Sequence, residues 1–267
     1  MSPRPRLAAA LLLVAAIVSS GCLRPPAHTI TQVCVIDALL AGAYDGQLSC
    51  AALRRHGDFG LGTFDRLDGE MAMLDGVVHQ VRADGSVREA PGSETTPFAM
   101  VTRFSPTRAV PVAPGAGPAD LEALLDRAFP DANLFCAIRM RGRFSAVRTR
   151  SVPAQKKPYP PLVEVTKSQP VFGREQVSGT LLGFRSPAYA GRVTAPGYHL
   201  HFLSDDRAFG GHVLDFRVES GVAELDPCTR FLLVLPEPGS AFGTMDLGGD
   251  RSAELEAAER GGGTVRR

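Results

Sequence analysis

A surplus of one charge sign is missing from this sequence. Across 267 residues, 29 Lys and Arg stand against 28 Asp and Glu, a formal net charge of +1. No long run of like charge occurs either. A chain so balanced carries no electrostatic footprint for nucleic acid, which needs clustered cations against its phosphates. Helical heptads and internal repeats are absent as well, which sets aside coiled coils and solenoids. Apolar runs long enough for a permanent membrane span are missing, since the best candidate, residues 7–18, is too short. Glycine and proline are frequent, at 28 and 21, and favour strands joined by loops. The length suits one large domain or two modest ones.

The run 7–18 follows Arg4 and Arg6 and ends Val18-Ser19-Ser20-Gly21-Cys22. Basic start, apolar stretch and small residues make a secretory signal. A small residue directly before cysteine resembles the bacterial lipobox, although Ser19 stands where that pattern prefers leucine. The expectation is an exported chain, membrane-anchored through a lipidated Cys22 or else periplasmic or secreted, with residues 1–22 outside the fold. Cys34, Cys50, Cys136 and Cys228 remain. Export permits a Cys34–Cys50 disulfide, and four buried thiols are the alternative.

The richest stretch runs from Pro196 to Phe216 and holds half of the six histidines. His199 and His201 are two apart, so on a strand both imidazoles share a face. Ser204-Asp205-Asp206 and Gly210-Gly211 are turn chemistry. Val213-Leu214-Asp215-Phe216 reads as the return strand, bringing His212 beside the first two. Three neutral imidazoles from paired strands suit Zn²⁺ with an open position for water or substrate. With no cysteine nearby, a closed structural Cys/His site is disfavoured.

Elsewhere, residues 36–46 read as a short helix stopped by glycine, and 53–57 as another helical turn. Residues 57–76 read as a β-meander, with Glu70 opening a strand after a turn. A strand at 77–83 follows, with His79 on its surface, and then one at 97–104. Residues 106–118, rich in Pro, Ala and Gly, read as a loop. Apolar spacing gives a helix at 120–129. Strands at 133–140 and 144–152 flank a turn at Arg141-Gly142-Arg143, which places Arg148 and Arg150 on one face. The Pro-rich segment 155–162 marks a boundary. Strands follow at 163–171, 176–185, 218–226 and 231–236, with a last helix at 252–259. The expected class is α+β: a mixed or antiparallel, β-sheet-rich, two-lobed single unit with a few short helices. The lobes would be 23–160 and 161–267, the second carrying the metal hairpin.

Several of these segments together resemble the α-acetolactate decarboxylase family. They are Gly179-Thr180-Leu181-Leu182-Gly183-Phe184-Arg185-Ser186-Pro187, the histidine stretch, Leu67-Asp68-Gly69-Glu70 before Leu74-Asp75-Gly76, Thr149-Arg150-Ser151-Val152-Pro153 and Lys157-Pro158-Tyr159-Pro160-Pro161-Leu162. The resemblance implies zinc on His199, His201 and His212, with Glu70 near the metal and Arg150 as the active-site arginine. It implies pocket positions at Thr63 and Leu67, and a C-terminal glutamate at the metal, Glu259 ahead of Glu256. It also implies a homodimer that converts a keto-hydroxy acid, (S)-2-acetolactate, to (R)-acetoin and carbon dioxide. An arginine beside such a site suits a carboxylate, because its planar fork offers two parallel donors. Two readings of the same residues stay open. One is an exported zinc-dependent hydrolase with Glu70 as general base; the other is a non-catalytic exported protein binding metal or a small molecule.

Overall fold

A computed structural model describes residues 25–260. The leader expected at 1–22, with Cys22, lies outside the described residues. In chain order the strands are β1 (Thr29–Val33), β2 (Leu48–Ser49), β3 (Phe59–Thr63), β4 (Glu70–Leu74), β5 (Val77–Val81), β6 (Val87–Glu89) and β7 (Thr95–Thr96). They continue as β8 (Ala99–Thr102), β9 (Arg108–Val112), β10 (Phe135–Arg150), β11 (Val171–Ser186), β12 (Gly197–Ser204), β13 (Gly210–Cys228) and β14 (Arg230–Val234). Five helices accompany them: α1 (Ile36–Leu40), α2 (Cys50–His56), α3 (Pro118–Ala128), α4 (Leu162–Thr166) and α5 (Ser252–Arg260).

The strands form two main sheets. The first has seven strands in the order β14-β1-β8-β3-β4-β5-β6. All its pairings are antiparallel except β1 with β14. The second runs β10-β11-β12-β13-β9, and an added β10–β13 pairing closes four of its strands into a ring. This is the α+β, sheet-rich fold expected. The sheets do not divide the chain at residue 160, however. Strands β9 and β10 precede that point and belong to the second sheet, whereas β14 returns to the first.

Four expected elements differ, and in each case tertiary pairing or packing outweighs local composition. Arg141-Gly142-Arg143 does not turn; β10 runs through it, bonded to β11 on one side and β13 on the other. Glycine is needed there for another reason, since a Cβ on Gly142 would lie 2.4 Å from the Ser220 carbonyl oxygen. A register shift between Arg148 and Thr149 breaks the alternation. Arg148 therefore faces solvent and Arg150 is buried, so they do not share a face. Within 106–118, β9 forms a strand at the sheet edge, where Pro111 lacks no needed bond. Residues 163–166 are helical, and 218–226 are the continuation of β13. His79 is buried rather than on the surface. All four described cysteines are buried and free.

Apolar packing follows the layers. Phe59, Leu61, Leu182 and Phe184 join the sheets, while Phe144, Phe202 and Phe216 fill the space beside α3. Helix α3 starts where Asp120 accepts the Gly117 N–H at 3.0 Å. A third group, Ile36, Leu39, Leu67, Phe98, Val152, Leu162, Leu255 and Ala258, gathers α1, α4 and α5 over one end of the sheets. Their apolar wall faces the histidines.

Candidate metal and active site

The hairpin expected from the spacing is present, and its register builds the site. His201 stands opposite His212 across the β12–β13 pair. On the other side of β13, His212 stands opposite Arg150 of β10. Three functional side chains thus lie in one row across three strands. Close strand approach is required here, because a Cβ on Gly183 of β11 would lie 2.0 Å from the His199 carbonyl oxygen. Strand β4 meets the row from the other sheet and delivers Glu70. The last helix, α5, delivers Glu259.

One nitrogen from each of His199, His201 and His212 falls within 4.8 Å of the others. His201 Nδ1 lies 2.7 Å from the Met71 carbonyl oxygen. A carbonyl only accepts, so Nδ1 carries the proton and the Nε2 lone pair is left facing the site. That Nε2 has no hydrogen-bond partner, and neither has His199 Nδ1. His199 Nε2 and His212 Nδ1 sit 3.1 Å apart. Buried, unpartnered imidazole nitrogens converging on one point are the donor set of a divalent cation. This group could hold a metal ion.

Charge around the triad is arranged to match. Burial lowers the pKa of all three histidines, and for His201 and His212 the fall is large. Neighbouring positive charge, Arg150 foremost for His212, adds to it. The rings are therefore neutral, as metal ligands must be. Glu70 Oε2 is 3.5 Å from His201 Nε2, and Glu259 Oε2 is 3.6 Å from His212 Nε2. Burial pushes the Glu70 carboxyl up to about 8; Arg150 opposes this and Glu259 reinforces it. Arg150 is 5 % exposed and donates through Nη1 to the Ala258 carbonyl, while its buried Nε has no partner. Burial lowers its pKa, and the carboxylates of Glu259 and Glu70 work against that.

These groups line one cavity of about 60 Å³. Thr63 and Leu67 line it too, with the Thr63 hydroxyl donating to the Gly69 carbonyl at 2.7 Å. Glu259 faces the cavity and Glu256 does not, being exposed on another face of α5. The remaining wall is mostly apolar, from Ile36, Leu39, Phe98, Val152 and Leu162. Of these, Ile36 and Leu39 stand in the helix expected at 36–46, and Val152 and Leu162 in segments that carry the resemblance. The Met71 and Ala258 carbonyls were invisible in the sequence, because any residue type supplies a carbonyl.

Comparison with known proteins places the chain in a family. Residues 30–249 match the family model described as alpha-acetolactate decarboxylase. The chain belongs to that family. A relative from Methanosarcina mazei, named alpha-acetolactate decarboxylase, is 48% identical over 229 residues, 86% of this chain and 79% of the relative. One of the same name from Methylococcus capsulatus is 44% identical, covering 87% of this chain and 89% of its own length. The crystal structure of alpha-acetolactate decarboxylase from Bacillus subtilis superposes with a TM-score of 0.84 at 37% identity, covering 86% of this chain and 99% of that one. The family match stops at 249, so Glu259 and its helix lie beyond it.

Proposed function

We propose that the chain decarboxylates (S)-2-acetolactate to (R)-acetoin and carbon dioxide in this cavity, with Zn²⁺ held by His199, His201 and His212. One observation carries the reading. In a chain of this family, three neutral imidazoles, two carboxylates and one guanidinium converge on a single cavity with apolar walls.

The substrate carries a ketone next to the carbon bearing its carboxylate. When that C–C bond breaks, carbon dioxide leaves and the electron pair passes into the ketone, giving an enediolate. A proton then returns to carbon and yields acetoin. A bound divalent cation supplies Lewis-acid stabilisation of the negative charge that gathers on the substrate oxygens. Arg150 orients the carboxylate before it leaves: one Nη is anchored on Ala258, and its unpaired Nε is free to donate. Being buried, its charge acts in a poorly screened environment on the anion that develops. Glu70, beside His201, and Glu259, beside His212, form the carboxyl pair that delivers the proton. The apolar wall of Ile36, Leu39, Phe98 and Leu162 excludes bulk water from the carbanion.

We read the protein further as an exported homodimer. Support for export comes from residues 1–22, where Cys22 would take the lipid. Support for self-association comes from exposed Leu232, 41 % accessible, on the free edge strand β14. The deciding experiment supplies racemic acetolactate to purified residues 23–267 and measures acetoin and carbon dioxide. It is run before chelation, after chelation, and with zinc restored. Metal-dependent acetoin is the expected result. Tight zinc binding without acetoin would overturn the reading.

A further inference from the structure

A second hollow adjoins the catalytic cavity. It is a cleft of about 450 Å³ between α5 and the turn at Ala188–Ala190. Glu259 lines both spaces and stands on the partition between them. Around the inner cavity, His201, His212 and Arg150 are buried, whereas Glu259 keeps 27% of its side chain accessible and His199 is half-buried. Among the described residues, the cavity thus reaches solvent beside Glu259 and His199. The cleft lies on that side, since Ala195 and Pro196, just before the His199 strand, line it. At 3.6 Å from His212, the Glu259 carboxylate is not held by a hydrogen bond at its tip.

We infer that this cleft is the route by which the substrate reaches the cavity, and that the Glu259 side chain is the gate between them. The inference rests on the decarboxylase reading. It also carries an electrostatic consequence. The cleft is lined by Asp37, Asp250, Glu256 and Glu259 against Arg192 and Arg251. Arg192 is engaged by Asp37 at 2.9 Å, and Arg251 by Glu254 at 2.8 Å. Among the described residues this leaves Asp250 and Glu259 facing an anionic substrate on this path, and added salt screens the repulsion. The neutral product leaves the same way without opposition.

The test narrows the cleft without touching the chemistry. Ala188 is exposed and lines the cleft, so Ala188→Trp adds bulk there at no cost in the core. Val222→Trp, exposed on β13 far from the site, is the control. Ala188→Trp lowers kcat/KM by about tenfold, within the range over which association rates vary among variants of one site. Its kcat stays near wild type, and removal of bound zinc by a chelator slows in parallel. In the wild type, kcat/KM rises as salt increases. Val222→Trp changes none of these. A wild-type kcat/KM and chelation rate in Ala188→Trp would overturn the route, and so would a kcat/KM that falls with salt. An inactive wild type would instead overturn the activity itself, and the route with it.

Discussion

Replacing Arg150 by Met separates the chemistry from the scaffold. The side chain is 5 % exposed, within a strand paired on both sides. Methionine keeps much of the buried volume and every backbone bond. The guanidinium is lost, and with it a buried cation that faces Glu259 and Glu70. Removing one preorganised donor from developing negative charge costs about 10²–10³ in kcat, or about 2.7–4 kcal/mol. The effect on folding is smaller than the about 3–5 kcal/mol typical of breaking a buried ion pair. In the metal-free chain, burial already pushes the Glu70 carboxyl up to about 8, and losing Arg150, which opposes that shift, leaves little uncompensated charge. An unsatisfied Ala258 carbonyl and a looser pocket account for about 1–3 kcal/mol. In a chain of this size each kcal/mol lowers Tm by about 2–4 °C. The assay pairs acetoin formation with bound-metal stoichiometry and a melting curve. Expected are full metal, a modestly lower Tm and kcat down at least about a hundredfold. Arg150→Lys restores the charge without the planar fork and recovers part of the loss. Full activity in Arg150→Met would remove the residue from the mechanism. Loss of metal in step with activity would show a collapsed site instead.

Further outcomes follow from the same geometry. Gly183→Ala forces a Cβ against the His199 carbonyl, 2.0 Å away, so β12 must shift; metal affinity measured by competition with a chelator falls about 10–100-fold. Leu67→Ala empties a fully buried pocket position and lowers unfolding free energy by about 2–5 kcal/mol in denaturant titrations. Zinc at a hundredfold excess over its Kd stabilises the folded chain by about 2.7 kcal/mol, seen as a Tm that climbs with metal concentration. In the metal-free protein, pH acts in two directions. The imidazoles, with pKa values lowered by burial, make stability rise with pH up to about 6.5, where the unfolded chain loses its protons. Glu70, raised from 4.5 to about 8, works the opposite way, since the folded state holds a proton the unfolded state releases. Above about pH 6.5 only Glu70 remains, so Tm of the chelated protein falls toward pH 8; Glu70→Gln abolishes that fall.

The histidine hairpin was legible because two signals coincided, a period-two pair and turn residues before the return strand. Arg150 was legible as an active-site arginine only through family resemblance, because its burial depends on a register shift between Arg148 and Thr149. Composition misled where a tertiary partner decides the outcome. Arg141-Gly142-Arg143 has the residues of a turn, and its glycine instead serves the contact with Ser220. Pro111 reads as a strand breaker and is tolerated because β9 pairs on one side only. Residues 163–166 are β-branched and acidic, yet they coil into α4 after Pro161 because Leu162 and Val165 bury against the site. The choice of Glu259 over Glu256 came from position at the end of the last helix, where α5 turns Glu259 to the cavity and Glu256 to another face.

The parallel pairing of β1 with β14 has a bearing on biosynthesis. Residues 29–33 leave the ribosome among the first of the described chain, yet one of their two strand neighbours is made some two hundred residues later. The first sheet cannot be completed until residues 230–234 have been made. Helix α5, which carries Glu259 to the imidazoles, is made later still. A product terminated before residue 230 would therefore expose the edge of β1 and also lack a wall of its cavity. Such fragments should be inactive and prone to pair through that edge, so in this architecture β14 closes the sheet and α5 then closes the reaction chamber.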